Sequence, residues 1–177
     1  LIRPNLTSGD HPSLVGYLDP ANGALVVTWS PTSYSNDPIL SLTNTVAGGQ
    51  SMSLANIQVN DSAWNGSGTG LIYTNLGNHF LTVDGVSVTL SAANNSAFKR
   101  VGSSFISLKN MDFNIQAACA NCFAFESSAV ASITYANNFD FTINNATAYA
   151  ISLGFTNTFS LDVSSATGLG GFLSRTA

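Results

Sequence analysis

Charge is scarce in this chain. Only 8% of its 177 residues are Asp, Glu, Lys or Arg, about a third of the roughly 25% usual in soluble domains. There are five Lys plus Arg, and Lys99 and Arg100 are the only adjacent cations, so no basic patch exists for a phosphate backbone and no nucleic-acid partner is expected. Disorder requires few apolar residues and high net charge. Here mean hydropathy is +0.21 and the formal net charge −4, which excludes it. Long apolar runs are missing too: Ser, Thr, Asn or Gly interrupts every greasy stretch before the roughly 18 residues of a membrane helix, so no membrane span is expected. Histidine occurs twice, at His11 and His79, too sparsely for a metal site or a Ser-His-Asp triad. Glu126 is the sole glutamate, in a context that suggests a strand edge or loop rather than one of a pair of catalytic carboxyls. The Gly-rich stretches lack the Lys-Ser/Thr ending of a phosphate loop. No enzyme activity, metal or cofactor is expected.

What replaces charge is uncharged polarity, with 19 Asn and abundant Ser and Thr. Such a surface keeps its character when carboxylates are neutralised, which suits an extracellular setting. The start at Leu1 reads as the mature product of signal-peptide cleavage. Five N-glycosylation sequons begin at Asn5, Asn60, Asn65, Asn94 and Asn145, all in expected turns, loops or the N-terminal segment where an N-linked glycan fits. The two cysteines, Cys119 and Cys122, have CxxC spacing without the second ligand pair of a zinc ribbon or the βαβ context of a thioredoxin-like site. In an oxidising compartment they are expected to pair as a structural clip.

Period-two alternation dominates and no 3.6-residue stripe persists, so the expected fold is all-β. Leu25, Val27 and Trp29 alternate; Met52, Leu54, Ile57 and Val59 alternate with one slip that suggests a bulge. Phe80–Val83, Asp84-Gly85 and Val86–Leu90 read as a type I′ hairpin. Further strands are expected at Phe105–Leu108, Met111–Ala117, Ala129–Tyr135, Phe139–Ile143, Ala148–Phe155 and Thr158–Val163. Nine or ten short strands at this spacing predict an immunoglobulin-like or jelly-roll β-sandwich over residues 23–177, with a small barrel second. No internal repeat stands out, and Gly168, Gly170 and Gly171 are expected to loosen the chain before its last residues.

Residues 1–22 differ. Pro4, Pro12 and Pro20 break them, yet Leu1, Ile2, Leu6, Leu14, Val15, Tyr17 and Leu18 are too apolar for a solvated tail. They form an expected extended arm that packs either on its own domain or on the next subunit. This arm, the sequons, the β-rich body and the low charge together resemble the pilins of archaeal surface filaments assembled by donor-strand complementation. The resemblance implies a cell-surface, glycosylated, head-to-tail homopolymer in which Leu14, Val15, Gly16, Tyr17 and Leu18 complete the neighbour's sheet. A second stretch, Leu54–Asp61 with Gly68-Thr69-Gly70 and Val86–Leu90, looks like bacterial cell-wall-binding WxL domains, although the paired Trp-x-Leu motifs are missing. Two other readings fit the composition: a viral coat or fibre protein, and a monomeric carbohydrate-binding or adhesive module using Trp29, Trp64, Tyr73 or Tyr135.

Overall fold

The computed structural model describes residues 13–15, 28–29, 40–43, 51–60, 70–75, 80–91, 93, 95–102, 105–128, 133–154 and 158–176. It is all-β, as expected, but it is not a sandwich or a barrel. The chain winds through about four turns of a parallel β-solenoid. The strands in chain order are β1 (Ser13–Val15), β2 (Thr28–Trp29), β3 (Leu40–Thr43), β4 (Ser51–Asn60), β5 (Ile72–Asn75), β6 (Phe80–Leu90), β7 (Ser96–Arg100), β8 (Phe105–Ile115), β9 (Phe123–Ser127), β10 (Ile133–Ile143), β11 (Tyr149–Gly154), β12 (Thr158–Gly168) and β13 (Gly171–Thr176). From β3 onward they alternate between two sheets. One runs β1-β4-β6-β8-β10-β12, with β2 also on β4; the other runs β13-β11-β9-β7-β5-β3. Among the described residues every pairing is parallel. A sandwich of antiparallel hairpins is thereby ruled out: each strand pairs with one a full coil away, never with its sequence neighbour.

Stacked positions form columns along the rod. Leu54, Val83, Leu108, Ala136 and Leu161 make one, spaced 29, 25, 28 and 25 residues apart. Leu40, Ile72, Phe98, Phe125, Ile151 and Leu173 make another in the second sheet. The buried core lies between the sheets and includes Phe98, Phe113, Phe125, Phe139 and Phe141. Phe113 and Phe141 stack at 5.6 Å, and Phe98 and Phe125 lie 5.6 Å apart, adding ring–ring attraction to area burial.

The expected hairpin at Asp84-Gly85 does not exist; β6 runs straight through it. Gly85 has φ +66°, as a turn glycine would, and Asn56, Asn110 and Asn138 also have positive φ, at 52°, 51° and 58°. The flanking register puts all four at one level of successive coils. There the left-handed residue bends the strand and resets its alternation. Inward residues are therefore three apart across the bend: Leu54 and Ile57, Val83 and Val86, Leu108 and Met111, Ala136 and Phe139. The slip noticed at Leu54 and Ile57 is this corner. It also fuses the expected pairs Phe105–Leu108 with Met111–Ala117, and Ala129–Tyr135 with Phe139–Ile143, into the single strands β8 and β10.

β12 breaks the rule: Leu161 and Val163, opposite Ala136 and Phe139, are only two apart, and the register shifts again before Ser165. The intervening Ser164 Oγ lies 3.1 Å from the Phe139 carbonyl oxygen. The coil that contains β12 is thus less regular than those before it.

Candidate functional site

The corner is joined on the outside by a side-chain ladder. Asn110 Nδ2 donates to Asp84 Oδ1 at 2.7 Å, and Asn138 Nδ2 donates to Asn110 Oδ1 at 2.6 Å. Stacked amides of this kind tie adjacent coils together. Two residues further on, Asp112 and Asp140 are in register on adjacent strands, with Ser87 Oγ donating to Asp112 at 3.1 Å and Ser164 Oγ to Asp140 at 2.7 Å.

The sulfurs of Cys119 and Cys122 lie at disulfide distance, 2.11 Å, and both residues are fully buried in the corner between β8 and β9. That matches the clip expected from their spacing. Among the sequons, Asn145 sits in the turn between β10 and β11. Its Nδ2 donates to the Ala117 carbonyl at 2.7 Å, and its Oδ1 accepts from the Thr147 N–H and hydroxyl, each at 2.9 Å. In the folded chain this asparagine is a structural brace between coils. Asn60 ends β4 rather than lying in a loop, while Asn5, Asn65 and Asn94 fall outside the described residues. Of the expected donor segment, Leu14 and Val15 pair with Leu54 and Ala55 of the same chain, in β1. Gly16, Tyr17 and Leu18 lie outside the described residues, as do His11, His79 and Trp64.

Glu126 is in β9, not a loop; one carboxylate oxygen accepts from Ser96 Oγ and the other lies 3.1 Å from Lys99 Nζ. Arg100 is fully buried. Its Nη1 donates to Thr134 Oγ1 and its Nε to the Gly102 carbonyl at 3.3 Å. Removal from water lowers its pKa to about 10, so it remains a cation at neutral pH. Among the described residues no three His, Cys, Asp or Glu side chains converge on a possible metal position.

Two surface features stand out instead. The first is a shallow cleft of about 200 Å³ on the outer face of the larger sheet, lined by Phe80, Leu81, Thr82, Phe105, Ile106, Ser107 and Tyr135. Phe80 and Phe105 are 49% and 41% exposed, stack at 5.2 Å and form one wall; Tyr135 is 61% exposed. Of these, sequence reasoning singled out Tyr135 alone. The strand parity, with Leu81 and Ile106 inward, was the signal that Phe80 and Phe105 face out.

The second feature is the open face of the last coil. The core columns shrink there: Phe141 is followed by Ala166, and Ile143 by Gly168. A cavity of about 190 Å³ opens at this point, lined by Phe141, Ile143, Ala150, Ala166, Gly168 and Phe172 among others. Leu169 is 76% exposed and Leu173 55%. The glycines do not loosen this region. Gly168 has φ +125°, and a Cβ on it would lie 2.0 Å from the Ile143 carbonyl oxygen, so only glycine lets β12 close on β10.

Comparison with known protein families, curated protein sequences and solved structures finds no match. The class that the geometry defines is an all-β parallel solenoid with a single CxxC pair. No described helix is long and apolar enough to cross a membrane.

Proposed function

We propose that this chain is a structural subunit of an extracellular, glycosylated filament in which copies stack head to tail, the solenoid of one continuing into the next. The observation that carries the reading is the face of the last coil. Among the described strands β12 is an 11-residue edge with one charged residue, Asp162, and beside it Leu169 and Leu173 stand exposed. Proteins usually blunt such an edge with charges, proline or brevity, because unpaired N–H and C=O groups recruit further strands. The coils follow one another in chain order with all strands parallel, so the end that carries β12 and β13 is a different surface from the end where the winding starts. Unlike ends that pair give a heterologous contact, which does not close and so grows into a fibre. The contact is a whole coil face, in place of the single donated strand that the sandwich reading required. The low charge, the paired cysteines and the sequons support an extracellular setting.

Light scattering after size exclusion, with negative-stain microscopy, tests this. Raising the concentration should give an open series of rods of increasing length. Leu169→Asp with Leu173→Asp should leave monomers with an unchanged β-sheet circular dichroism spectrum. Growth that stops at a dimer, or rods that persist in the double variant, would contradict the proposal.

A further inference from the structure

We infer that the cleft beside Phe80, Phe105 and Tyr135 binds a neutral, extended polysaccharide laid along the rod axis. The inference is independent of filament assembly, because the cleft lies on the side of the solenoid and not at its end.

The chemistry of the lining selects the ligand. Phe80 and Phe105, stacked across adjacent strands, form a continuous apolar wall. Opposite it runs the column Thr82, Ser107 and Tyr135, two residues along each strand and on the same outer face. Among the described residues none hydrogen-bonds to these three hydroxyls, so they are available to a ligand. A sugar ring offers the complementary pair of surfaces, an apolar C–H face for the wall and equatorial hydroxyls for the hydroxyl column. No charged side chain lines the cleft, which disfavours uronic acids, phosphates and nucleic acids.

Size and repeat narrow the class further. Small-molecule sites enclose roughly 300–1,000 Å³, and this cleft is smaller and open to solvent. It can hold only part of a ligand, which is how a polymer lies across a surface. Successive rungs are about 4.7–4.9 Å apart along the axis, close to the length of one sugar ring in an extended chain. Neighbouring rungs therefore meet neighbouring rings, Phe80 with Thr82 on one, Phe105 with Ser107 on the next and Tyr135 on the third, and several weak contacts act together.

Calorimetry and affinity electrophoresis with cellohexaose, xylohexaose, mannohexaose and chitohexaose, and with the corresponding soluble polymers, test the inference. At least one series should bind, more tightly with chain length. Tyr135→Ala and Phe105→Ala should each weaken binding at least tenfold, Thr82→Val with Ser107→Ala should weaken it several-fold, and Thr167→Ala, away from the cleft, should leave it unchanged. Unchanged melting and normal rods in Tyr135→Ala would separate this role from folding and from assembly. The inference fails if none of the four sugars binds, if binding survives Tyr135→Ala and Phe105→Ala, or if those changes abolish self-association instead, which would make the cleft a protein contact.

Discussion

Asn110 shows how one residue serves both backbone and surface. It holds a φ of +51° that costs most L-residues about 1–2 kcal/mol, and its amide accepts from Asn138 while donating to Asp84. The two contributions separate by substitution. Asn110→Ala loses both and should destabilise by about 2 kcal/mol, whereas Asn110→Gly keeps the backbone and loses only the ladder, for about 1 kcal/mol. Urea unfolding checks this, and equal costs for the two would mean that the bend itself carries no strain. Arg100 makes a second residue-scale test. Its folded pKa is about 10, below its unfolded value, so above that pH the unfolded chain holds the proton more tightly and folding is favoured by losing it. The stability of the wild type relative to Arg100→Met should be flat from about pH 7 to 9 and rise as pH passes about 10. A difference that stays flat to about pH 11.5 would show that burial does not perturb the guanidinium.

At the scale of elements, parallel in-register stacking places like beside like, which helps amides and aromatics and penalises charges. Asp112 and Asp140 are the clearest instance. Like charges opposite one another on neighbouring strands destabilise by a few tenths to about 1 kcal/mol. Asp112→Asn keeps the acceptor for Ser87 and should raise the melting temperature at low salt, with the gain shrinking by 1 M salt as screening removes the repulsion. A gain that is absent or independent of salt would show that the repulsion is already screened.

The same stacking explains what the sequence could and could not reveal. Strand residues were legible because inward and outward positions alternate, and most strand centres fall where alternation places them. The coil repeat was not legible, because this column keeps apolar character rather than identity or size: Leu54, Val83, Leu108, Ala136 and Leu161 share it without sharing a motif, and their spacing varies with the connecting loops. The corner misled most. Asp84-Gly85, Asn110 and Asn137-Asn138 are ordinary turn signals, and only the pairing partners show that they bend a strand without reversing it. The cysteine clip depended on a three-residue separation alone and so was readable. The cleft and the open end arise from residues distant in sequence and were not.

At the scale of the whole molecule, each coil rests only on its neighbours, so stability accumulates along one dimension and depends on what covers the ends. Fully burying a Leu is worth about 1.5–3 kcal/mol, and the last coil leaves Leu169 and Leu173 substantially in water. In the proposed filament, a second copy seated on β12 and β13 would remove that exposure and satisfy the strand edge together. The sandwich expectation put the partner in one groove of the domain; the proposed filament puts it on the end of the solenoid.

Cryo-electron microscopy of concentrated protein tests that claim most directly. The account predicts rods in which strands lie perpendicular to the long axis and a layer line at about 4.7–4.9 Å runs unbroken through each junction, with β12 of one copy meeting the first coil of the next. Isolated particles at every concentration, or rods packed side by side with the β12 face still open to solvent, would contradict it.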